Sequence, residues 1–124
     1  MGPESKLHKK LLKKTPGIVW NRIENLSNVG TPDLLGYNNS GTFFTVELKV
    51  TKGIKIKFSP HQIAWHVKHP KNTFILVKSL DTRDWKLFEG KNIRKLVACG
   101  LSLAACRSGL VACCLELAQV GSKA

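Results

Sequence analysis

The segment from Thr42 to Val50 constrains the fold more than any other part of this chain. Two sets of residues alternate along it, so their side chains would point to opposite sides of an extended strand. The first set comprises Phe44, Val46, Leu48 and Val50, and the second comprises Phe43, Thr45, Glu47 and Lys49. We therefore predict a strand with one apolar face and one face that carries charged groups.

A turn sequence, Asn38-Asn39-Ser40-Gly41, separates this strand from a preceding apolar arm and predicts a β-hairpin. If the hairpin pivots on Ser40, Asp33 lies directly opposite Glu47. If the pivot shifts by half a residue, Asp33 faces Val46 and still lies close to Glu47. Both registers bring two carboxylates together on one side of the sheet.

Lys49 projects from the same face as Glu47, because the two residues are two positions apart on one strand. Opposed carboxylates in a hairpin repel each other, so they need a counter-charge. Lys49 supplies part of it, and Mg²⁺ or Mn²⁺ would supply more. Such a cation suits phosphodiester hydrolysis, in which Lys49 could orient or deprotonate the attacking water or stabilise charge on phosphorus. The alternative is an exposed cross-strand salt bridge without a function.

A helix start is predicted at Ser59-Pro60-His61-Gln62. Ser59 suits the N-cap, Pro60 the first helical position, and Gln62 the third position of a capping box. Pro70 would end this helix at about His69. The other predicted elements are a helix over 4–14, strands over 18–23, 73–78 and 85–88, and a helical segment from 92 to about 120.

This order of elements predicts an α/β fold, a central mixed β-sheet flanked by helices, with an apolar C-terminal helical tail. We expect one domain, in which residues 1–95 form the core and residues 96–124 form the C-terminal segment. Leucines recur every seven residues in that segment, at Leu96, Leu103, Leu110 and Leu117. The heptad makes it a candidate dimer surface, although Gly100 or Gly109 could break the helix, and packing on the sheet is the alternative.

The chain contains 20 lysines and arginines against 8 acidic residues, a net charge of +12. So strong a positive charge on a folded domain favours a polyanionic partner, and nucleic acid or an anionic membrane surface are the leading candidates. Few of the cations are arginines, which favours recognition of backbone and shape over sequence. The predicted nucleic-acid-binding residues are Lys9, Lys10, Lys13, Lys14, Lys52, Lys55 and Lys57.

The C-terminal segment carries all four cysteines, which form no C-x-x-C pair. We interpret them as small buried hydrophobes in a reducing compartment rather than as a zinc site. Charged residues and glycines argue against a membrane span there. We therefore expect a soluble, cytoplasmic protein that does not bind membranes.

Three motifs in this order resemble the PD-(D/E)xK nuclease superfamily: Gly30-Thr31-Pro32-Asp33, the apolar-flanked Glu47-Leu48-Lys49, and Ser59-Pro60-His61-Gln62. The sequence looks most like small phage nucleases of the VRR-NUC and Holliday-junction-resolvase-like branch. The resemblance covers about residues 18–78. It implies a restriction-endonuclease-like αβββαβ core and, for a phage-encoded protein, action inside the host cell.

The resemblance also implies roles for individual residues. Asp33 and Glu47 become metal ligands, joined by the backbone carbonyl of Val46, and Lys49 becomes the catalytic lysine. Gln62 corresponds to a glutamine beside the active site. Its capping-box role competes with this one, and we do not expect one side chain to serve both.

A further glutamate near the metal is common in the superfamily, and both Glu4 and Glu24 are candidates, with Glu24 slightly preferred. Among the histidines only His66, one turn beyond Gln62, is of interest. The sequence thus predicts a Mg²⁺-dependent DNA endonuclease, with Mn²⁺ as a substitute, that selects branched DNA by structure. Junction resolution would require a homodimer, and the alternative is a non-catalytic nucleic-acid-binding module on a nuclease fold.

Overall fold

The computed structural model describes residues 3–23 and 30–122, which form a six-stranded mixed sheet with helices on both faces. The strands lie side by side in sequence order. They are β1 (Val19–Arg22), β2 (Leu34–Tyr37), β3 (Phe43–Thr51), β4 (Thr73–Ser79), β5 (Trp85–Glu89) and β6 (Arg107–Ser108). The helices are α1 (Pro3–Lys14), α2 (Pro60–Lys68), α3 (Ile93–Cys99) and α4 (Leu110–Ala118). The predicted fold class is confirmed.

Strand β3 is central to the sheet, antiparallel to β2 and parallel to β4. Its alternating side chains divide the molecule as the sequence predicts. Val46 and Leu48 join an apolar cluster with residues of α1 and α4. We call this side the apolar face. The side from which Glu47 and Lys49 project is the site face, and α2 and α3 cover part of it over a smaller cluster that includes Ile75.

The predicted C-terminal helical segment is broken at both of the glycines named as possible breaks. Gly100 has a φ of +59°, and a side chain there would collide with the carbonyl of Ile54, while Gly109 has a φ of +91°. L-residues with a Cβ rarely adopt such backbone conformations. Strand β6 lies between the two breaks and pairs with β5. The segment therefore adds a short edge strand that its sequence does not indicate.

The leucine heptad does not form one surface. Leu96 is buried in the cluster of the site face, whereas Leu117 is buried in that of the apolar face. Asn38 of the hairpin turn ties α4 down, because its Nδ2 donates to the carbonyls of Leu117 and Val120 at 3.1 and 2.9 Å. The segment thus packs on the sheet, and α3 spans residue 95.

Two other expectations concern the same region. Cys113 and Cys114 are buried as expected, but Cys99 is exposed, so the interpretation of all four cysteines as buried is wrong for that residue. No helix within the described part of the chain is both long and apolar enough to cross a bilayer.

Candidate active site

The β2–β3 register brings Asp33 to Glu47. Leu34 pairs with Val46, so the hairpin pivots on Ser40, which confirms the first of the two predicted registers. Asp33 immediately precedes β2, and its Oδ2 accepts a hydrogen bond of 2.7 Å from the backbone N–H of Leu48. This bond holds the Asp33 carboxylate against β3, beside the strand residue that carries the second carboxylate.

The Glu47 carboxyl is buried, with only 3% of the residue exposed. Its Oε2 lies 3.3 Å from Nε2 of Gln62, and its Oε1 has no hydrogen-bond partner. Burial raises the pKa of Glu47 to about 9, the charge of Asp33 and a side-chain hydrogen bond with Asp33 add to this rise, and Lys49 opposes it. Additional positive charge beside this carboxyl would favour its ionised form.

Lys49 lies beside the carboxylates. Its Nζ donates a 3.0 Å hydrogen bond to Oε1 of Gln62 and sits 4.8 Å from the centre of the Phe58 ring. The ammonium group is therefore held by one polar contact and one aromatic contact rather than extended into solvent.

Gln62 joins the start of α2 to the two charged residues of β3. Its backbone N–H donates to Oγ of Ser59, and its Oε1 accepts from the backbone N–H of Ser59, which completes the capping box. The same Oε1 accepts from Lys49 while Nε2 faces Glu47. The expectation that one side chain would not serve both roles is wrong, because an amide oxygen has two lone pairs and the amide nitrogen is still free to donate.

Gly30 explains how the loop before β2 reaches α2. Its φ is +92°, and a side chain at this position would collide with the carbonyl of His61. Only glycine allows this approach, which brings the loop that carries Asp33 against the first turn of α2. The function of this glycine was not predicted, although the Gly30-Thr31-Pro32-Asp33 motif contains the signal for it.

Of the two candidate additional glutamates, only Glu4 lies within the described residues. Glu24 lies outside the described residues. Glu4, in the first turn of α1, is close enough for its charge to raise the pKa of Glu47 further. Glu4 and Lys49 also line a groove of about 850 Å³.

The predicted DNA-binding lysines fall into separate groups. Lys52, Lys55 and Lys57 line the groove beside Lys49. Two of the α1 lysines lie elsewhere: Lys10 lies over the ring of Trp85, and Lys14 lines a cavity between α1 and α4 on the apolar face. Lys9 and Lys13 are exposed on α1.

His66, one turn beyond Gln62, is fully buried, and neither ring nitrogen has a hydrogen-bond partner. Burial, together with the charges of His69 and Lys49, lowers the pKa of His66 to about 4. The ring is therefore a neutral packing group under α2, and the sequence gives no signal for this.

The donor set of this site fits a divalent cation. Within residues 3–23 and 30–122, no group of three or more His, Cys, Asp or Glu side chains is placed to hold a metal. Mg²⁺, however, is commonly held by only one or two carboxylates, with water and substrate phosphate as its other ligands. Asp33 and Glu47 provide two carboxylates, and the partnerless Oε1 of Glu47 is an oxygen that a cation would satisfy.

Comparison with known proteins gives a similarity in fold. No protein-family model matches the sequence, and neither does any curated protein. Among solved structures, the chain is similar to Hjc from Archaeoglobus fulgidus, a Holliday junction resolvase from an archaeal hyperthermophile determined at 1.6 Å resolution. The TM-score is 0.50 at 20% sequence identity, over 69% of this chain and 72% of the resolvase. The chain is therefore similar in fold to a Holliday junction resolvase.

Proposed function

We propose that this chain is a divalent-metal-dependent DNA endonuclease of the PD-(D/E)xK superfamily, which hydrolyses phosphodiester bonds and selects branched DNA by its structure. The observation that carries the proposal is the polar network at the start of α2. Gln62 contacts both Glu47 and Lys49 there, and the hydrogen bond from Leu48 to Asp33 fixes the second carboxylate. The similarity in fold to a Holliday junction resolvase supports the same activity and substrate class.

Asp33 and Glu47, with the backbone carbonyl of Val46, would hold Mg²⁺, for which Mn²⁺ could substitute. The bound cation would polarise a phosphoryl oxygen and promote ionisation of a water molecule. Lys49 would orient the attacking water and stabilise the negative charge that develops on the phosphoryl group. Gln62 would position both Glu47 and Lys49. Glu4 is close enough to complete the site through water, and Glu24 remains the alternative.

The groove beside Lys49 would carry the DNA backbone. Lys52, Lys55 and Lys57 line it, and their ammonium groups can neutralise phosphates without reading bases. Junction resolution requires two cuts, so two chains would act together as a homodimer. The exposed side chains of Val111 and Leu115 on α4 would lie within this contact, and neighbouring side chains would supply the rest of its area.

The test is a cleavage panel on matched duplex, nicked, flap and four-way DNA, with and without Mg²⁺. We expect metal-dependent cleavage that is fastest on branched DNA. Lys49→Ala and Asp33→Asn should each lower the cleavage rate by about 10²–10⁴-fold. Both should keep the wild-type melting temperature, because asparagine can still accept the hydrogen bond from Leu48 and Lys49 lies outside both apolar clusters.

Matched controls are Lys14→Ala and Glu116→Gln, which remove one positive and one negative charge from α1 and α4 on the apolar face. These controls should cleave at the wild-type rate. Unchanged cleavage in both site variants would reject the catalytic assignment. Salt-sensitive DNA binding without any metal-dependent cleavage by the wild-type chain would favour the second candidate, a non-catalytic nucleic-acid-binding module, for which the groove lysines are the supporting observation.

A further inference from the structure

The site face is not covered uniformly. Helices α2 and α3 pack over Ile75 and Phe88 on β4 and β5, whereas three large apolar side chains of β1–β3 remain exposed. Val19, Tyr37 and Phe43 are 61%, 39% and 60% exposed. Val19 pairs with Tyr37, and Tyr37 pairs with Phe43, so they form one row across three adjacent strands. We call these three residues the aromatic row.

The aromatic row is continuous with the candidate active site. Phe43 and Glu47 project from the same face of β3, and four residues of extended strand separate them by about 13 Å. Leu35 and Thr45, which pair with each other, form the half-buried surface between them. A strand of DNA that passes Glu47 and follows β3 would therefore reach the aromatic row within a few nucleotides.

The rings of Tyr37 and Phe43 contact each other rather than being scattered over the surface. Their centroids are 4.5 Å apart, with an interplanar angle of 50°. A second ring pair lies on α2, where Trp65 and His69 stack at 4.0 Å with an interplanar angle of 14°. Lys71 is exposed in the following loop, where the carbonyl of Asn72 accepts a hydrogen bond from the backbone of Thr45. The row thus has a cation on a loop that contacts the neighbouring part of β3.

We propose that the aromatic row stacks against unpaired bases of the DNA strand whose backbone crosses Glu47 and Lys49, so that the substrate carries single-stranded nucleotides a few positions from the cut. This inference rests on the proposed function for the path of the strand. Stacking on Tyr and Phe accepts any base, because every base presents a π-face. That property suits recognition by structure rather than by sequence.

A second copy of the chain is a poorer occupant for this surface. Stable interfaces bury roughly 800 Å² on each partner, and three side chains provide much less. DNA bases, in contrast, arrive with phosphates that neutralise part of the chain's net charge of +12.

The test measures binding without cleavage, in EDTA, using the full chain. The two probes are an oligothymidylate and an abasic oligonucleotide of the same length, which has the phosphates but no bases. The double variant Tyr37→Thr/Phe43→Thr keeps β-forming residues at both positions. We expect it to bind oligothymidylate about tenfold or more weakly than the wild type and to bind the abasic strand equally well.

The matched control is Leu12→Gln/Val97→Gln, which also removes two exposed apolar side chains, but from helices, and which should bind both probes as the wild type does. An equal loss on both probes, or no loss, would overturn the proposal. The proposal would also be overturned if sedimentation showed the wild-type chain to be a dimer and the double variant to be a monomer, since the aromatic row would then be a contact between two copies.

The binding experiment and the cleavage panel can reject the two proposals independently. If the wild type cleaves DNA but the double variant binds like the wild type, the stacking role is rejected and the nuclease stands. If binding depends on the bases and on the row while no DNA structure is ever cut, the nuclease is rejected and the row remains a base-binding surface.

Discussion

The two faces of the sheet contrast most clearly on strand β3, which contributes to both. Val46 and Leu48 are buried on the apolar face among side chains of α1 and α4. On the site face, Glu47 is buried as deeply, yet its Oε1 has no partner, and neither do the ring nitrogens of the buried His66. A buried polar atom without a partner costs about 1–3 kcal/mol. The difference indicates that packing on the apolar face stabilises the fold, while the site face keeps destabilising groups for another purpose.

The largest loss of stability should come from the apolar face. Leu76 is fully buried there, and Leu76→Ala should lower the free energy of unfolding by about 2–5 kcal/mol, because it leaves a cavity. Cleavage measured well below the melting temperature should stay within about threefold of the wild type. Chemical denaturation and a cleavage assay on the same preparation check this.

Lys49→Ala is the reciprocal control, since it should abolish cleavage and leave the denaturation midpoint in place. A folded Leu76→Ala protein with no activity, or a Lys49→Ala protein that melts early, would contradict the separation of the two faces.

Glu47→Gln should stabilise the protein in the absence of metal. The pKa of Glu47 is raised from 4.5 to about 9, so the folded state holds a proton that the unfolded state loses between these values, and stability falls as pH rises through that window. Glutamine removes this penalty. At pH 8 we expect Glu47→Gln to exceed the wild type by about 3–5 kcal/mol, with no difference near pH 4.

Magnesium separates this effect from ordinary packing. It should raise the melting temperature of the wild type at pH 8 and leave that of Glu47→Gln unchanged, because the variant lacks a carboxylate ligand. Equal stabilisation of both proteins by Mg²⁺ would exclude Glu47 as a ligand.

His66 should shift stability with pH in the opposite direction. The pKa of His66 is lowered from 6.5 to about 4, so the unfolded state takes up a proton first, and stability is lost as pH falls through this range. Between pH 4.5 and 6.5 the trends of His66 and Glu47 offset each other in the wild type. His66→Leu should therefore gain stability on acidification by about 1 kcal/mol per pH unit relative to wild type, and Glu47→Gln should lose as much.

Thermal or denaturant unfolding of the three proteins at pH 4.5, 5.5 and 6.5 measures these slopes. Parallel curves would show that neither group has the perturbed pKa on which the prediction depends.

Local sequence signals predicted the parts of the structure that local physics determines. The alternation along β3 and the capping box at Ser59 each depend on neighbouring residues, and both are confirmed. The hairpin turn set the register, and the register brought Asp33 to Glu47. These signals were sufficient for the fold class and for the proximity of the two carboxylates.

Features that depend on distant contacts were not predictable in the same way. Strand β6 has only two residues, too few for a pattern, and it forms only where the chain pairs with β5. The double role of Gln62 depends on where α2 lies over β3. The exposure of Phe43 likewise depends on which strands the helices leave uncovered. In each case the residue can be identified in the sequence, but the distant residue that it contacts cannot.

The smallest predicted effect is on DNA binding. It tests whether lysines on the site face contribute more to DNA binding than lysines on the apolar face. Lys57 lines the groove beside Lys49, and Lys14 lines the cavity between α1 and α4, although both were predicted to bind DNA. Lys57→Ala should weaken binding to branched DNA a few-fold and reduce the slope of log affinity against log salt by about one, because one phosphate contact is lost. Lys14→Ala should change neither quantity. Fluorescence anisotropy between 50 and 200 mM salt measures both. Equal slopes of log affinity against log salt for the two variants would mean that the positive charge attracts DNA from the whole domain. The groove would then not be the preferred binding site for the DNA backbone.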